Sequence, residues 1–548
     1  MKSICILIFF LLTTNLLFSQ TITKPDTGKH VAKLDTINPN KGNEKQQLKN
    51  IKEKRITLHS DSISHDSIGN QPIASSKIDT TVQNKYGDLL NDDTAFNRKY
   101  SVWIPSVEVI GDNIALSLVD SRILKLQFSK VNIVTWKRTL SAGWPWNSGW
   151  EWDQDRFGNN FLSHPIMGSF YFNDARSNGY NFWASMPFAF AGSYMWKIFG
   201  ENGTPEREDI VNTTFDGIVL GEILYRISSN ILDDRTRGRE RVFREILAGI
   251  IDPMRGINRL LQGKTFRHTN KEIYQKEPLN ITLYGGIRNI NGQSHSFLSG
   301  KTSEIFNLQV DYGNPFEVLP KKAFDLFRLR VDMNFGVGRK FVDNVTGYGI
   351  LFGHNTQVDK VALLMGGFMY YDYWDNTTFE LGTVSLGYGV FSKLPIGKTS
   401  NLYTSVHLGV VPLAGGSTGP VPDTSQYRDY SYGYGWEGKF EISLVLGKVA
   451  TIGINYYYFM IHNFNNTGRN EYTPELLQIG TLGTNYTNIF KPRITFQVYK
   501  SFSIGLEQYM YYQVHNQQGY NSFTSFRTEQ KIFILIYLED PQRRGHYN

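Results

Sequence analysis

The segment Phe327–Gly338, FRLRVDMNFGVG, alternates strictly between two kinds of residue. Its odd-numbered positions are apolar, and its even-numbered positions carry a charged side chain, an amide or glycine. Successive side chains of a β-strand point to opposite faces, so this segment forms one apolar and one polar face. Its 12 residues exceed the usual soluble strand of about 5 to 6 and match the roughly 9 to 11 that cross a bilayer at a tilt. The segment therefore predicts a membrane-crossing strand.

The same alternation recurs at Leu402–Val410, Phe440–Leu446 and Ile494–Val498. Of the 31 tyrosines, 24 follow residue 275, as suits rings at a membrane–water boundary. An open sheet edge in hydrocarbon would leave backbone groups unpaired, so we predict that the strands close into an antiparallel transmembrane β-barrel. The alternative is a large soluble sandwich of two sheets. The predicted strands are 279–289, 304–312, 323–338, 346–355, 360–373, 378–393, 400–412, 433–446, 449–462, 487–499, 502–515 and 523–538.

The connections between these strands differ in length. Residues 447–448 and 500–501 form short turns, whereas 413–432 and 463–486 form long loops. In outer-membrane barrels the short turns are periplasmic. Both chain ends are therefore predicted to lie in the periplasm, and whatever precedes the barrel should lie there or inside the lumen.

The N-terminal part of the chain resembles a secreted protein. Residues 1–20 have a short positive start and an apolar run too short to span a membrane, which predicts a cleaved signal peptide. Residues 21–97 are polar without a hydrophobic period and predict a disordered linker. The net charge of +7 is small for 548 residues, so no nucleic-acid partner is expected.

Residues 98–265 predict a helical module, so the fold class is mainly β with an α-helical module before the barrel. After Pro105, apolar residues from Val107 to Ile123 recur at helical spacing. Asn181–Phe199 predicts a helix buried in protein, and Thr214–Ile231 predicts another long helix. Gly217 and Gly221 lie four residues apart on the latter, which allows a second helix to approach closely.

Four residues of this module are candidates for chemistry: His164, Asp155, Arg176 and Glu222. A histidine with a carboxylate partner acts as a general base near neutral pH, and an arginine holds an anionic oxygen. One hypothesis is therefore an envelope hydrolase or lipid-modifying enzyme that uses His164 with Asp155. The interpretation that we favour is a structural polar network, in which Arg176 pairs with Glu222 between helices.

Other site types find little support in the sequence. Cys5 is the only cysteine, and His164 is the only histidine from Ser101 to Leu260, so no metal site and no cofactor are expected. Trp144, Trp146, Trp150 and Trp152 are consistent with a sugar-stacking platform or with an interfacial membrane anchor. The arginines from Arg235 to Arg244 are predicted to form a solvated face paired with Asp233, Asp234 and Glu240.

One block of the helical module has a distinctive residue order. It contains WDQD at 152–155, NN at 159–160, HP at 164–165, GS at 168–169, ARSNG at 175–179, FW at 182–183 and AGS at 191–193. The block resembles domain-of-unknown-function family 3943, an uncharacterised family of Gram-negative envelope proteins. The resemblance implies a secreted outer-membrane protein with a C-terminal barrel, and it implies no established activity. Asp216-Gly217 stands where that family leads us to expect a Gly-Gly pair.

These observations predict an integral protein of the cell outer membrane. Its barrel would carry a helical module that lies in the periplasm or plugs the lumen, in a structural, transport or scaffold role. The expected partners are outer-membrane lipid and another envelope protein. The alternative is the envelope enzyme described above.

Overall fold

The structure is a computed structural model, which describes most of the chain after residue 100. The predicted signal peptide 1–20 and linker 21–97 lie outside the described residues. The described residues are 101–144, 149–152, 155–270, 272–291, 300–317, 320–336, 340–376, 378–417, 430–464, 482–518 and 521–538.

Within these residues, 12 strands form a closed antiparallel barrel in which each strand pairs with its neighbours in sequence and β1 pairs with β12. The predicted fold class is therefore confirmed, and all 12 predicted strands overlap observed ones. The strands are β1 (Leu279–Asn291), β2 (Lys301–Tyr312), β3 (Phe327–Asn334), β4 (Val342–Val358), β5 (Val361–Asp375), β6 (Glu380–Pro395), β7 (Ser400–Ser417), β8 (Tyr430–Leu446), β9 (Ala450–Asn463), β10 (Gly483–Tyr499), β11 (Phe502–Gln517) and β12 (Phe523–Leu538).

Contacts between non-neighbouring strands identify the inner face of the barrel. Arg328 Nη1 on β3 donates to Glu441 Oε2 on β8 at 2.7 Å. Arg330 Nη1, also on β3, donates to Tyr457 Oη on β9 at 3.3 Å. Strands β3 and β9 lie on opposite sides of a 12-stranded barrel, so these contacts form through its interior. The even-numbered residues of β3 therefore face the lumen, and Phe327 and its odd-numbered neighbours face outward.

The described helices all precede the barrel, and four π-helical turns interrupt them. Asn132 caps the helix Ile133–Ala142 reciprocally: its Oδ1 accepts from Thr135 N at 3.0 Å, and Thr135 Oγ1 accepts from Asn132 N at 2.8 Å. The helices are α1 (Trp103–Leu118), α2 (Ile133–Ala142), α3 (His164–Ser177), α4 (Phe182–Met195), α5 (Arg207–Val211), α6 (Gly217–Ile231), α7 (Gly238–Ile251) and α8 (Pro253–Leu261), and the π-helical turns are Val119–Ile123, Asn159–Ser163, Trp196–Gly200 and Asn212–Asp216.

Helices α3 and α6 cross in close contact, as the glycine spacing predicts. A Cβ atom on Gly168 would lie 1.7 Å from Thr213 O, and one on Gly217 would lie 2.6 Å from Gly168 C. Only glycine allows two backbones to come this near, because any side chain would occupy the space of the other main chain. The α3–α6 crossing therefore depends on these two residues.

The helical module packs against the outside of the barrel. Leu329, Gly347 and Tyr371 pair across β3, β4 and β5 in one outward-facing row. Ile223 of α6 lies in the same apolar cluster as Leu329 and Tyr371. Phe161 fills the space over Gly382 of β6, where a Cβ would lie 2.2 Å from its ring. The prediction of a lumen-plugging module is therefore wrong for the described residues, because these helices contact the outer face of the wall and strand side chains meet inside.

Among the described residues, no helix combines the length and the apolar character needed to cross a membrane.

Candidate functional site

A buried ion-pair network lies at the centre of the helical module. Arg176 Nε donates to Glu222 Oε2 at 2.6 Å, and Arg176 Nη2 donates to Glu222 Oε1 at 2.9 Å. Both side chains are buried. This two-point geometry joins α3 to α6, as the structural interpretation of these two residues expects. The arginines beside Glu222 hold its pKa below the ordinary range, although burial alone would raise it.

The same network reaches the barrel through Arg226. Its Nε donates to Glu222 Oε1 at 2.7 Å, and its Nη1 donates to Asp325 Oδ1 at 2.9 Å in the β2–β3 connection. Its Nη2 donates to Ala323 O at 2.7 Å. The buried Arg226 thus joins α6 to the β2–β3 connection, and its positive charge is paired with the carboxylates of Glu222 and Asp325.

Aromatic stacking extends the network to α8. The guanidinium carbons of Arg176 and Arg255 each lie 4.2 Å from the centroid of the Tyr225 ring. Arg255 Nη1 also donates to Tyr225 O at 2.8 Å. Cation–π contacts of this kind strengthen when they are removed from water. Helices α3, α6 and α8 are therefore held together by charged side chains at their centre.

His164 belongs to a second buried cluster. His164 Nε2 lies 3.4 Å from Asp209 Oδ2. Lys197 forms ion pairs with Asp209, with Glu201 Oε2 at 2.7 Å and with Glu206 Oε2 at 3.0 Å. A single buried ammonium thus faces three carboxylates, and His164 contacts one of them.

His164 and Asp155 differ in their surroundings, the charge of Asp155 is among those that act on His164, and their pairing in catalysis stays a prediction. Asp155 is exposed, and its Oδ2 accepts from Asn159 Nδ2 at 3.4 Å, so it lies beside a turn. His164 is only 8% exposed. Burial, followed by the positive charge of Lys197, lowers the pKa of His164 to about 4. An imidazole with that pKa is neutral but weakly basic at neutral pH, and its use in catalysis stays a prediction.

Polar contacts also join the helical module to the outer wall of the barrel. Asn160 Nδ2 donates to Tyr430 Oη and to Tyr432 Oη, both at 2.7 Å. Tyr371 Oη donates to Phe161 O at 2.6 Å. These hydroxyl groups are buried, so the module supplies partners that hydrocarbon would not. The Asn159–Ser163 π-helical turn presents both Asn160 and Phe161 to the wall.

The tryptophans and arginines singled out from the sequence lie in different surroundings, and the sugar-stacking and membrane-anchor interpretations of the tryptophans stay predictions. Trp152 stacks on Tyr432 with ring centroids 5.2 Å apart, so it joins the module to β8. Trp150 packs against Tyr194, Trp144 is exposed, and Trp146 lies outside the described residues. Among the described residues, the expected ion pairs form as Arg235–Asp233, Arg241–Asp234 and Arg244–Glu240.

The Arg176–Glu222 pair and the Gly168–Gly217 crossing both lie in one segment that matches a known family. Residues 149–254 match the family described as Domain of unknown function (DUF3943). The predicted resemblance is therefore confirmed. The DUF3943 segment runs from Gly149 to Met254 and includes α3 to α7 in full. No curated protein matches the chain.

Solved structures similar to this chain include outer-membrane porins and channels. The NanC porin is 10% identical over 47% of this chain and 100% of its own, with a TM-score of 0.25. The COG4313 outer membrane channel from Pseudomonas putida F1 is 9% identical over 49% and 98%, with a TM-score of 0.26. The outer membrane protein OprD from Pseudomonas aeruginosa is 9% identical over 48% and 94%, with a TM-score of 0.18. The fold of this chain follows from its own strand pairing.

Sequence reasoning missed Lys197 and Asp209, which belong to the buried cluster around His164. The separation of Lys197 and Glu201 by four residues was the available signal. Asp209 follows Lys197 by 12 residues, and no local pattern joins it to His164. The described residues contain no group of three or more His, Cys, Asp or Glu side chains arranged to hold a metal ion.

Asp252 provides a test of how the buried charges set the stability of the module. Burial raises the pKa of Asp252 to about 7. The folded chain therefore holds the proton of this carboxyl more tightly than the unfolded chain, in which the pKa is about 4. The resulting contribution to stability is fully present below about pH 4 and is lost as the pH rises to about 7. We expect Asp252→Asn to become more stable than the parent chain as the pH rises over this window. Asparagine keeps the oxygen that accepts from Arg255 N at 3.1 Å.

Hydrogen exchange of α8 amides, measured from pH 4 to pH 8 and corrected for intrinsic rates, is the readout for this variant. Protection of the parent chain should fall relative to Asp252→Asn as the pH rises. Parallel pH profiles for the two chains would contradict the prediction.

Proposed function

We propose that this chain is an integral outer-membrane protein whose closed barrel anchors the DUF3943 helical module against its outer wall. Three features of the described residues support this function. They are an apolar outer surface on the strands, a lumen crossed by side-chain contacts, and the interface between the wall and the helices. The interface carries the proposal, because a channel needs no helices docked on its outside.

The two faces of the strands support a membrane location. On β7, Leu408 and Val410 face outward and are exposed, whereas His407 faces the lumen and is buried. On β12, Ile532 and Ile534 are exposed outward, while Lys531 is buried inside. Apolar side chains outside and charged side chains inside are the arrangement of transmembrane barrels.

Contacts across the lumen support a barrel that is closed to solutes. Besides the Arg328–Glu441 and Arg330–Tyr457 contacts, Lys491 on β10 lies 5.6 Å from the Trp374 ring on β5. Arg493 on β10 lies 5.2 Å from the Tyr284 ring on β1. Side chains from several directions therefore meet inside, so the lumen is packed with protein groups.

Single-channel recording in planar bilayers tests the closed lumen. We expect the full chain to insert without steady conductance. The double variant Arg328→Ala with Glu441→Ala should conduct more than the parent, because it removes side chains that cross from β3 to β8. A matched control is Arg244→Ala with Glu240→Ala, which removes an ion pair on α7, away from the lumen, and should leave the barrel silent.

Two results would overturn the proposal. Steady conductance of the parent chain would assign it to transport instead of anchoring. A purified chain that stays monodisperse in buffer without detergent would remove the membrane location altogether.

A further inference from the structure

Helix α1 turns its apolar side away from the protein. Val107 and Ile114 are 62% and 55% exposed, and Ile110 and Leu118 lie on the same side. These residues recur at the helical spacing that the sequence predicts, but they face outward. A helix of 16 residues is about 24 Å long. The apolar face of α1 is therefore an extended stripe on the surface of the module.

The polar residues of α1 point inward instead. Glu108 Oε2 accepts from Asn178 Nδ2 at 2.6 Å and from Asn258 Nδ2 at 3.0 Å. Asn113 Oδ1 accepts from Tyr171 Oη at 3.1 Å. This orientation is the reverse of a surface helix in a water-soluble protein, which buries its apolar stripe.

Neighbouring helices add to the exposed apolar surface. On α2, Ile133 and Val134 are exposed, and Trp136 packs edge-on against Phe199. On α4, Trp183 and Phe190 are exposed, although the sequence predicts a helix buried in protein. Exposed large apolar side chains on several helices of one module are typical of an interaction surface.

Unpaired cations follow the apolar stripe of α1. The exposed charged residues from 101 to 144 are all basic: Arg122, Lys125, Lys130, Lys137 and Arg138. Within the described residues, none of them forms an ion pair, whereas Arg235, Arg241 and Arg244 near α7 are each paired with a carboxylate. An apolar stripe that ends in unpaired cations complements an anionic lipid, with acyl chains beside the stripe and phosphate beside the cations.

We propose that α1 and α2 form a lipid-binding surface that takes phospholipid with an anionic headgroup. The inference rests on the proposed membrane location, because the module packs on the same outer wall that carries the lipid-facing strands. Acyl chains contact Val107, Ile110, Ile114 and Leu118. The headgroup phosphate is bound by the cations that follow, Lys125 and Lys130 among them.

A second copy of the chain fits this surface less well. In a two-fold contact the same patch meets itself. Two sets of unpaired cations would then face one another across an apolar contact, and like charges repel most where water is excluded. Anionic lipid satisfies both the stripe and the charges.

Site-directed spin labelling of the full chain in phospholipid vesicles tests the apolar part. Cys5 is the only native cysteine, and it falls in the predicted signal peptide, so single-cysteine variants are simple to obtain. Ile114→Cys tests the stripe, Leu408→Cys reports the barrel wall, and Lys398→Cys in the exposed β6–β7 turn reports water. Collision with oxygen measures lipid contact, and collision with a water-soluble nickel complex measures water contact.

Labels at Ile114 and Leu408 should both favour oxygen, and the label at Lys398 should favour nickel. A water-exposed Ile114 with a lipid-exposed Leu408 would overturn the lipid-binding surface and leave the barrel proposal standing. A water-exposed Leu408 would remove the proposed function itself. Dipolar coupling between Ile114 labels on two copies would assign the surface to self-association and also overturn the inference.

A fluorophore at Ile123→Cys tests the charged part. Quenching by spin-labelled phosphatidylglycerol should exceed quenching by spin-labelled phosphatidylcholine several-fold in the parent background. Lys125→Gln with Lys130→Gln should reduce that ratio towards one. The matched control Lys398→Gln with Lys448→Gln removes the same charge from two exposed turns and should leave the ratio unchanged. An unchanged ratio in the Lys125 and Lys130 variant would overturn the headgroup assignment.

Discussion

Replacing Gly168 by alanine should separate α3 from α6 and lower the free energy of unfolding of the helical module by more than about 3 kcal/mol. The added Cβ would lie 1.7 Å from Thr213 O and 3.1 Å from Gly217 Cα. These are backbone atoms, so no rotamer change relieves the overlap and the two helices must move apart. The small gain in helix propensity from alanine, about 1 kcal/mol, does not offset this cost.

Gly111 supplies the matched control for this variant. It lies within α1, and a Cβ there would meet no atom within 4 Å. Gly111→Ala should therefore be neutral or stabilise by about 0.5 to 1 kcal/mol. Hydrogen exchange of α3 and α6 amides in detergent measures both variants. Equal protection of these amides in Gly168→Ala and the parent chain would contradict a close backbone contact at Gly168.

Arg176→Ala should destabilise the helical module by about 3 to 5 kcal/mol, because the buried carboxylate of Glu222 then loses its bidentate partner. Arg226 still contacts Glu222 Oε1, so the remaining arginine offsets part of the loss. Arg176→Lys should recover only part of the stability, since an ammonium cannot reproduce the planar two-point contact.

The Arg244–Glu240 pair is the control for the buried one. Arg244 Nη2 and Glu240 Oε1 are 2.9 Å apart, but Glu240 is exposed and Arg244 is only half-buried, so removing Arg244 should cost about 1 kcal/mol or less. Thermal unfolding of the full chain, monitored by hydrogen exchange of α6 amides, compares the stability of the two variants. If Arg176→Ala were as stable as Arg244→Ala, the buried network would not be structural, and Arg176 would be a candidate for binding an anion.

The barrel was predictable because its signal is local. In Phe327–Gly338 the two-residue period and the length of the run are both visible in the sequence, and backbone pairing in hydrocarbon requires closure. The pairing of Arg176 with Glu222 was predictable from charge alone, because two oppositely charged residues on packed helices are stable inside a protein only when they meet. The strand ends were less accurate, because β3 stops at Asn334 and β7 continues to Ser417.

The position of the module was not predictable from local patterns. Phe327 and Leu329 have the same alternation whether lipid or a helix covers them, so the sequence cannot distinguish the two. The apolar period of α1 likewise predicts an apolar face but not whether that face packs inward or is exposed. The contact of His164 with Asp209 joins residues 45 positions apart in sequence, so no local pattern could predict it.

The hydroxyl groups on the outer wall bear on how the protein is assembled. Tyr371, Tyr430 and Tyr432 would turn their hydroxyl groups towards hydrocarbon if the strands closed into a bare cylinder, without the polar groups that the helices supply, and each hydrogen bond lost in an apolar solvent costs free energy. Asn160 and the Phe161 carbonyl meet them only once the helices have docked. A truncated chain that begins at residue 275 therefore leaves these hydroxyl groups without the polar groups of the helices. We expect insertion of the barrel and docking of the helices to be coupled.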